Sequence, residues 1–311
     1  MLKGRILSLT LLAFALLNFS EVDAAIIAHW TFDESDGTIA HDSAGSVNGT
    51  LSTSGASFVS GGISGNALSL EFANNGFVNM GDVNAFTGGD FSLVAWLKAT
   101  GGINDINMMV SKHAAFTANG YYLGYNLAGF GGPLNKGLIA EGDAQYAARS
   151  TTDVNDGAWH QLVAVYKAGG DKTIYVDGVA EGTAPSVSIQ GNSVPLLIGG
   201  ATFAGVPQGR FDGLIDDVQV YNHALVVSEV SYLFQNPGKV IEPIVATIAP
   251  AVQISWNSQA NTAYQVQSTT NINSGTWIDV GTPVQGTGGT VFTFDATAGQ
   301  AAKFYRIVAL P

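Results

Sequence analysis

Apolar residues along this chain alternate with polar ones in short runs, and the runs are broken by Gly, Asn and Asp. A period of two places alternate side chains on one face of an extended strand, so the pattern predicts strands rather than helices. The clearest runs are 26–32, 67–70, 91–98, 108–111, 121–126, 159–167, 172–176, 195–198 and 214–221. Turn signals such as Asp177-Gly178 between them fit antiparallel sheets packed as a sandwich. The span 101–156 is less regular and predicts extended loops over one sheet. One helix is expected, with Ser228 as its cap, Glu229 in its first turn, and Val230, Leu233 and Phe234 on one face. It stops before Asn236-Pro237-Gly238, and a domain boundary with a brief linker over 239–243 is placed there. A smaller β unit follows, with strands expected at 252–256, 264–268, 277–280, 290–294 and 304–309.

The run from Phe211 to Phe234 makes the sharpest physical demand. Strict alternation puts Leu214, Asp216, Val218 and Val220 on one face and turns the neighbouring Asp217 to the other. A carboxylate in a buried row is costly unless a cation, a metal or several backbone N–H groups meet it.

Composition supports an all-β protein with many tight turns: Gly is abundant at 39 residues, and only 12% of residues are charged. The net charge of -12 opposes binding to nucleic acid or to an anionic membrane surface. Lys3 and Arg5 precede an apolar stretch over 6–19, and Val22-Asp23-Ala24 suits cleavage before Ala25. Residues 1–24 therefore read as a secretory signal, and the mature chain is expected outside the cytoplasm, secreted or at the cell surface. No other apolar run approaches the length of a membrane span. The absence of Cys rules out disulfides and thiolate metal sites.

Several motifs occur together and in order. They are H-W-T-F-D-E-S-D-G-T at 29–38, H-D-S-A-G at 41–45, N-G-T-L at 48–51, G-N-A-L-S-L at 65–70 and F-S-L-V-A-W-L-K at 91–98. D-G-A-W-H-Q-L-V-A-V-Y at 156–166, I-Y-V-D-G at 174–178 and the segment 213–234 complete the set. This set resembles the laminin-G-like, concanavalin A-like jelly-roll domains common in secreted bacterial proteins, over roughly 25–236. The resemblance implies two curved antiparallel sheets, usually a non-catalytic module for carbohydrate or surface recognition, often with a structural calcium. I-S-W-N at 254–257, Y-Q-V-Q-S-T-T-N at 264–271 and F-Y-R-I-V-A at 304–309 make the tail similar to a fibronectin type III-like unit, though short for seven strands. The fold expected is thus a concanavalin A-like jelly-roll β-sandwich over 25–238, followed by a small fibronectin-III-like β-sandwich over 239–311.

With that fold, Asp33 ends the first strand and Asp216 lies on the last strand of the same domain. Such strands are commonly neighbours, so the two carboxylates could converge on a calcium ion, with Asp42 and Asn48 as further ligands. The competing reading has Asp216 accepting backbone hydrogen bonds and Asp33 capping a turn. His29, His41, His113, His160 and His223 show no metal-binding spacing, and His160 reads as structural. Trp30, Trp96, Trp159, Trp256 and Trp277 read as core. A glycan site would use aromatics and amides of the irregular middle region: Phe116, Tyr121, Tyr122, Phe130 and Tyr146, with Asn119, Asn126 and Asn135. No paired-carboxylate strand motif, G-x-S-x-G elbow or phosphate loop is present. The reading is a secreted, non-catalytic binding or adhesion protein for an extracellular glycan or cell-surface component. The rivals are a glycoside hydrolase or lyase of the same fold and a purely structural matrix protein.

Overall fold

The structure is a computed structural model that describes residues 25–84, 86–102, 105–114, 120–126, 133–142, 146–242, 251–296 and 303–310. Residues 1–24, expected to be a secretory signal, lie outside the described residues, as do Phe116, Asn119 and Phe130. The chain divides into two compact units, residues 1–243 and 244–311.

In the first unit the early strands are β1 (Ile26–Trp30), β2 (Ile39–Ala40), β3 (Gly49–Leu51), β4 (Ala56–Ser60), β5 (Asn66–Leu70) and β6 (Val78–Asn79). The long central strands are β7 (Phe91–Lys98), β8 (Ile106–His113), β9 (Gly120–Asn126), β10 (Lys136–Glu141), β11 (Ala148–Asp153) and β12 (His160–Tyr166). Then come β13 (Asp171–Val176), β14 (Val179–Pro185), β15 (Leu197–Ile198), β16 (Gly200–Phe203), β17 (Val206–Gly209), β18 (Gly213–Tyr221) and helix α1 (Val227–Gln235).

Two antiparallel eight-stranded sheets result. The first runs β14-β13-β12-β7-β18-β5-β4, with β1 also paired to β18; the second runs β11-β10-β9-β8-β15-β6-β3-β2. Their facing sides enclose one core that draws Leu68, Leu93 and Leu162 from the first sheet and Leu123, Ile139 and Ile198 from the second. Strands β7, β9 and β12 are buried on both sides apart from Lys98, because α1 covers the far side of the first sheet and the β16–β17 hairpin lies along β8. Under α1, Val94, Val163, Tyr221, Val230 and Leu233 form a second apolar cluster, and Phe234 stacks on Trp96 at 5.7 Å.

The open sides of the sandwich are closed by polar side chains. Lys172 on β13 and Glu141 on β10 make a fully buried ion pair at 2.7 Å, and Lys172 also donates to Pro185 O at 2.7 Å. Glu181 on β14 accepts the backbone N–H groups of Thr151 and Thr152, each at 2.8 Å. Partial burial would raise the Glu181 carboxyl, but these bonds and those from the threonine hydroxyls hold it low. His160 Nδ1 sits 2.8 Å from Asp177 Oδ2 and its Nε2 sits 3.2 Å from Asp156 Oδ1, so this histidine holds two turns together.

The recurring motifs acquire reasons here. Gly65 has φ of +76° and packs so closely on Asp33 that a Cβ would lie 2.0 Å from Asp33 Oδ1. Gly49 lies against Met80, whose Sδ would be 2.2 Å from an added Cβ. Trp30 donates from its indole to Val47 O at 2.7 Å, and Trp30 itself is fully buried.

Two expectations need correction. The helix starts one residue before Ser228: Val226 holds the cap position, and its N–H donates to Glu229 Oε2 at 2.8 Å. Glu229 alone thus does the capping from within the first turn. The segment after the helix is docked rather than a free linker, since Gln219 Nε2 donates to Lys239 O and Ile241 N–H donates to Tyr221 OH.

The second unit holds β19 (Ala251–Asn257), β20 (Ala263–Thr269), β21 (Ile278–Gln285), β22 (Thr290–Ala296) and β23 (Phe304–Ala309). They form a pair, β19-β22, and a three-stranded sheet, β21-β20-β23. Tyr264, Val266, Val280 and Val291 are its buried hydrophobic residues among those described.

Burial pushes the Asp216 carboxyl up from 3.8 to about 7, and the hydrogen bond with Asp177 raises the His160 imidazole. Both groups bind a proton more tightly folded than unfolded, so the stability they give is present at acid pH and lost as pH rises through their folded values. The urea midpoint should therefore fall between pH 5 and pH 8, with Asp216 contributing on the order of 2–4 kcal/mol over its window. Asp216→Asn should flatten much of that slope, and a wild-type midpoint that climbs across the interval would contradict the assignment.

Candidate functional site

The acidic pair on β18 shows what the sequence demanded and what it concealed. Asp217 has φ of +48°, and the pairing of β18 with β7 shifts register between Asp216 and Gln219. This bulge resets the alternation. Ile215, Val218 and Val220 face the main core, so Asp216 does not share a face with Val218 and Val220. Nor do the two carboxylates part company: both reach one corner beside β1. Asp216 accepts N–H bonds from Asp217 at 2.8 Å and from Ser64 at 3.2 Å. Asp217 Oδ1 lies 2.6 Å from His29 Nε2 and accepts Gln219 Nε2 at 2.9 Å, while its Oδ2 accepts Gly238 N–H at 2.9 Å.

The first and last strands of the unit are neighbours as expected, pairing from Ile26 with Tyr221 to Trp30 with Val218. The four residues proposed as calcium ligands nevertheless do not make one coordination set. Asp33 accepts Asn66 N–H at 2.8 Å, and Asp216 is filled as described. Asp42 lies on the β2–β3 loop, where Oδ1 accepts N–H from His29, Ala44 and Gly45 and Oδ2 accepts from Val47. Asn48 Oδ1 accepts Asp42 N–H at 2.9 Å. Calcium needs six to eight converging oxygens, whereas these face N–H donors. Among the described residues no three His, Asp or Glu side chains form a metal-holding group.

Ser43, His29 and Asp217 form a chain that has the outline of a nucleophilic relay. Ser43 Oγ is 3.0 Å from His29 Nδ1, and the imidazole and Asp217 are buried behind it. The surrounding amides are already committed, however. Ser43 N–H donates to His29 O at 2.8 Å, and those of Ala44 and Gly45 donate to Asp42. No pair of these donors is left to stabilise an oxyanion. The chain serves to fasten the β2–β3 loop to β1 and β18.

An open cleft of about 580 Å³ lies on the outer side of the second sheet, over β3 and β6. Leu51 and Val78 point into the core, so alternation turns Thr50, Phe77 and Asn79 outward, and Thr50 is paired with Asn79 across the strands. Asn48 and Asn75 flank them, Asn75 in the left-handed region at φ of +57°. Three amide side chains are oriented here by backbone donors. Asn48 Oδ1 accepts Asp42 N–H, Asn75 Oδ1 accepts Gly209 N–H at 2.8 Å, and Asn79 Oδ1 accepts Gly81 N–H at 2.9 Å. Their NH₂ groups have no protein acceptor among the described residues, and each offers two donors. Phe77, half-buried, supplies an aromatic surface.

Toward β8–β10 the same sheet face is covered. Ile106, Met108, Tyr122, Leu138 and Ala201 form a buried apolar cluster on its β8–β10 side. The expected glycan residues therefore fall differently: Tyr121 is core, Tyr122 belongs to that cluster, Asn126 is buried, Asn135 makes a turn at φ of +61°, and Tyr146 is exposed. The cleft uses residues missed by the sequence reading, except Asn48. Its signal was Asn75, Phe77 and Asn79 at the strand period.

The concanavalin A-like lectin/glucanases superfamily, through its Laminin_G_3 family model, matches residues 72–231, just over half of the chain. Among solved structures, domain 4 of AbnA, a GH43 extracellular arabinanase from Geobacillus stearothermophilus, in complex with arabinotriose, is similar at 19% identity and a TM-score of 0.52. That match covers 68% of this chain and 100% of the domain. The binding domain of Paraclostridial Mosquitocidal Protein 1 is similar at 15% identity and a TM-score of 0.53, covering 82% of this chain and 63% of that one. The botulinum neurotoxin serotype D binding domain is similar at 10% identity and a TM-score of 0.50, covering 78% and 57%. At such identities the likeness is one of fold. No curated protein matches the chain.

Two outcomes follow from the committed donors. Adding a chelator should leave the melting temperature unchanged; a fall of several degrees, restored by calcium, would show that an ion stabilises the fold by mass action. A fluorophosphonate probe should leave Ser43 unlabelled, while His29→Ala should lower the melting temperature by removing a buried partner of Asp217.

Proposed function

Because the chain belongs to the concanavalin A-like lectin/glucanases superfamily, we propose that it is a non-catalytic binding module for an extracellular glycan, and that the cleft over β3 and β6 is its binding site. The observation carrying this reading is the set of three amides whose oxygens are tied to backbone N–H groups while their NH₂ groups are free. Fixed amide planes beside an aromatic ring suit a sugar. Hydroxyl and ring oxygens accept from the amides, and the C–H face of the ring packs on Phe77. Preorganised donors lose little entropy on binding.

Two further points support the reading. The arabinanase domain of similar fold was solved with arabinotriose. Among the described residues no helix is long and apolar enough to cross a membrane, and the signal-like sequence at 1–24 fits export. We read the tail as a fibronectin-III-like appendage and assign the glycan site to the first unit. Calcium is no part of the proposed site.

Retention on a panel of immobilised polysaccharides tests the proposal. Asn79→Ala and Phe77→Ala should each weaken the best ligand about tenfold, a loss of about 1.4 kcal/mol, with melting temperatures held close to the parent. Retention that survives both substitutions would remove the cleft from the account. Release of sugar from any retained polymer would show an enzyme instead.

A further inference from the structure

We infer that the cleft selects neutral glycans and rejects acidic ones, an inference that rests on reading the cleft as a glycan site. Among the described residues, no Asp, Glu, Lys, Arg or His lines it. An anionic sugar placed there would give up part of its hydration without meeting a cation, and an unpaired charge gains nothing to offset that loss.

The surroundings deepen the bias. Asp42 donates its N–H to Asn48 at the cleft edge, and Asp212 Oδ1 accepts the N–H of Phe72, close in sequence to Asn75 and Phe77. Lys112, which could approach from β8, is buried and spends its ammonium on Asp82 at 2.6 Å and on Val194 O at 2.7 Å. The whole chain carries 24 acidic residues against 12 Lys and Arg. A uronate or sulfate polymer therefore meets repulsion on approach and gains no ion pair on arrival.

The donor pattern points the same way. With each amide oxygen already accepting one backbone N–H, Asn48, Asn75 and Asn79 present chiefly N–H donors. The Thr50 and Thr53 hydroxyls, which make no hydrogen bond to the described residues, can give or accept. Donors without charge match hydroxyl, ring and glycosidic oxygens. An anion would use the same donors, but they offset only part of its lost hydration.

The test measures binding of the full chain to neutral arabinan, xylan and β-glucan, and to acidic polygalacturonate, alginate and a sulfated glycan, at low and moderate salt. At least one neutral polymer should bind, at least tenfold more tightly than any acidic one, with little dependence on salt. Asn79→Asp, which introduces charge at the site, should weaken the neutral ligand without creating affinity for the acidic set. An acidic polymer that binds as tightly as the best neutral one, and is lost in Asn79→Ala, would overturn the selectivity while leaving the cleft as the glycan site. Failure of every polymer to bind, or binding that ignores Asn79→Ala and Phe77→Ala, would instead overturn the cleft assignment on which the selectivity rests.

Discussion

Two adjacent carboxylates buried on the closing strand of the sandwich govern how its ends come together. Asp216 and Asp217 are almost wholly removed from water. Leaving either group without partners there would cost several kcal/mol, a large fraction of the stability of an ordinary domain. The groups that meet them come from widely separated parts of the chain: His29 on the first strand, Ser64 on the β4–β5 turn, Gly238 beyond the helix, and Gln219 on the same strand. Each of those segments that leaves takes a hydrogen-bond partner from a buried carboxylate. The pairing of β1 with β18 and the docking of the segment after α1 are thus parts of one electrostatic solution.

That solution also decides which surface remains for binding. Helix α1 covers the outer side of the first sheet, and the β16–β17 hairpin shields the second sheet around β8. Among the described residues, the end of the second sheet built from β3 and β6 stays open, short strands whose outward residues are Thr50, Phe77 and Asn79. Gly49 lets β3 press onto Met80 and Val78 on the buried side of this sheet. The tail unit, with few buried hydrophobic residues among those described, leans on hydrogen-bonded edges more than on a deep core.

Strand existence was legible because alternation is a local property. The run 91–98 is observed without change as β7, and the two ends of the unit proved adjacent as a sandwich of this kind requires. The faces of β18 were misread because a single residue, Asp217, takes a left-handed conformation and inserts a bulge. Nothing in the alternation of Leu214 to Tyr221 announces that dihedral. The same limit applies to the acidic residues grouped for calcium. Sequence says that a carboxylate needs a partner, but whether a cation or a row of N–H groups supplies it depends on loop geometry. For Asp42 the answer is the β2–β3 loop itself, which turns its N–H groups onto the side chain. The middle-region aromatics failed as a glycan guess for a related reason: an aromatic on a strand is drawn inward, and Tyr121 went there.

The distribution of hydrogen-bond donors links these observations to function. Around Ser43, His29 and Asp217 the geometry has the order of a relay, yet each neighbouring amide already closes the loop or holds Asp42. Donors that secure a fold are unavailable to stabilise developing charge. At the cleft the logic is reversed. There backbone N–H groups bond the oxygens of Asn48, Asn75 and Asn79, which fixes the side chains and leaves their NH₂ groups without a protein acceptor among the described residues. The same use of backbone N–H groups therefore leaves the first region locked and the second with the uncommitted donors that the proposed glycan site requires.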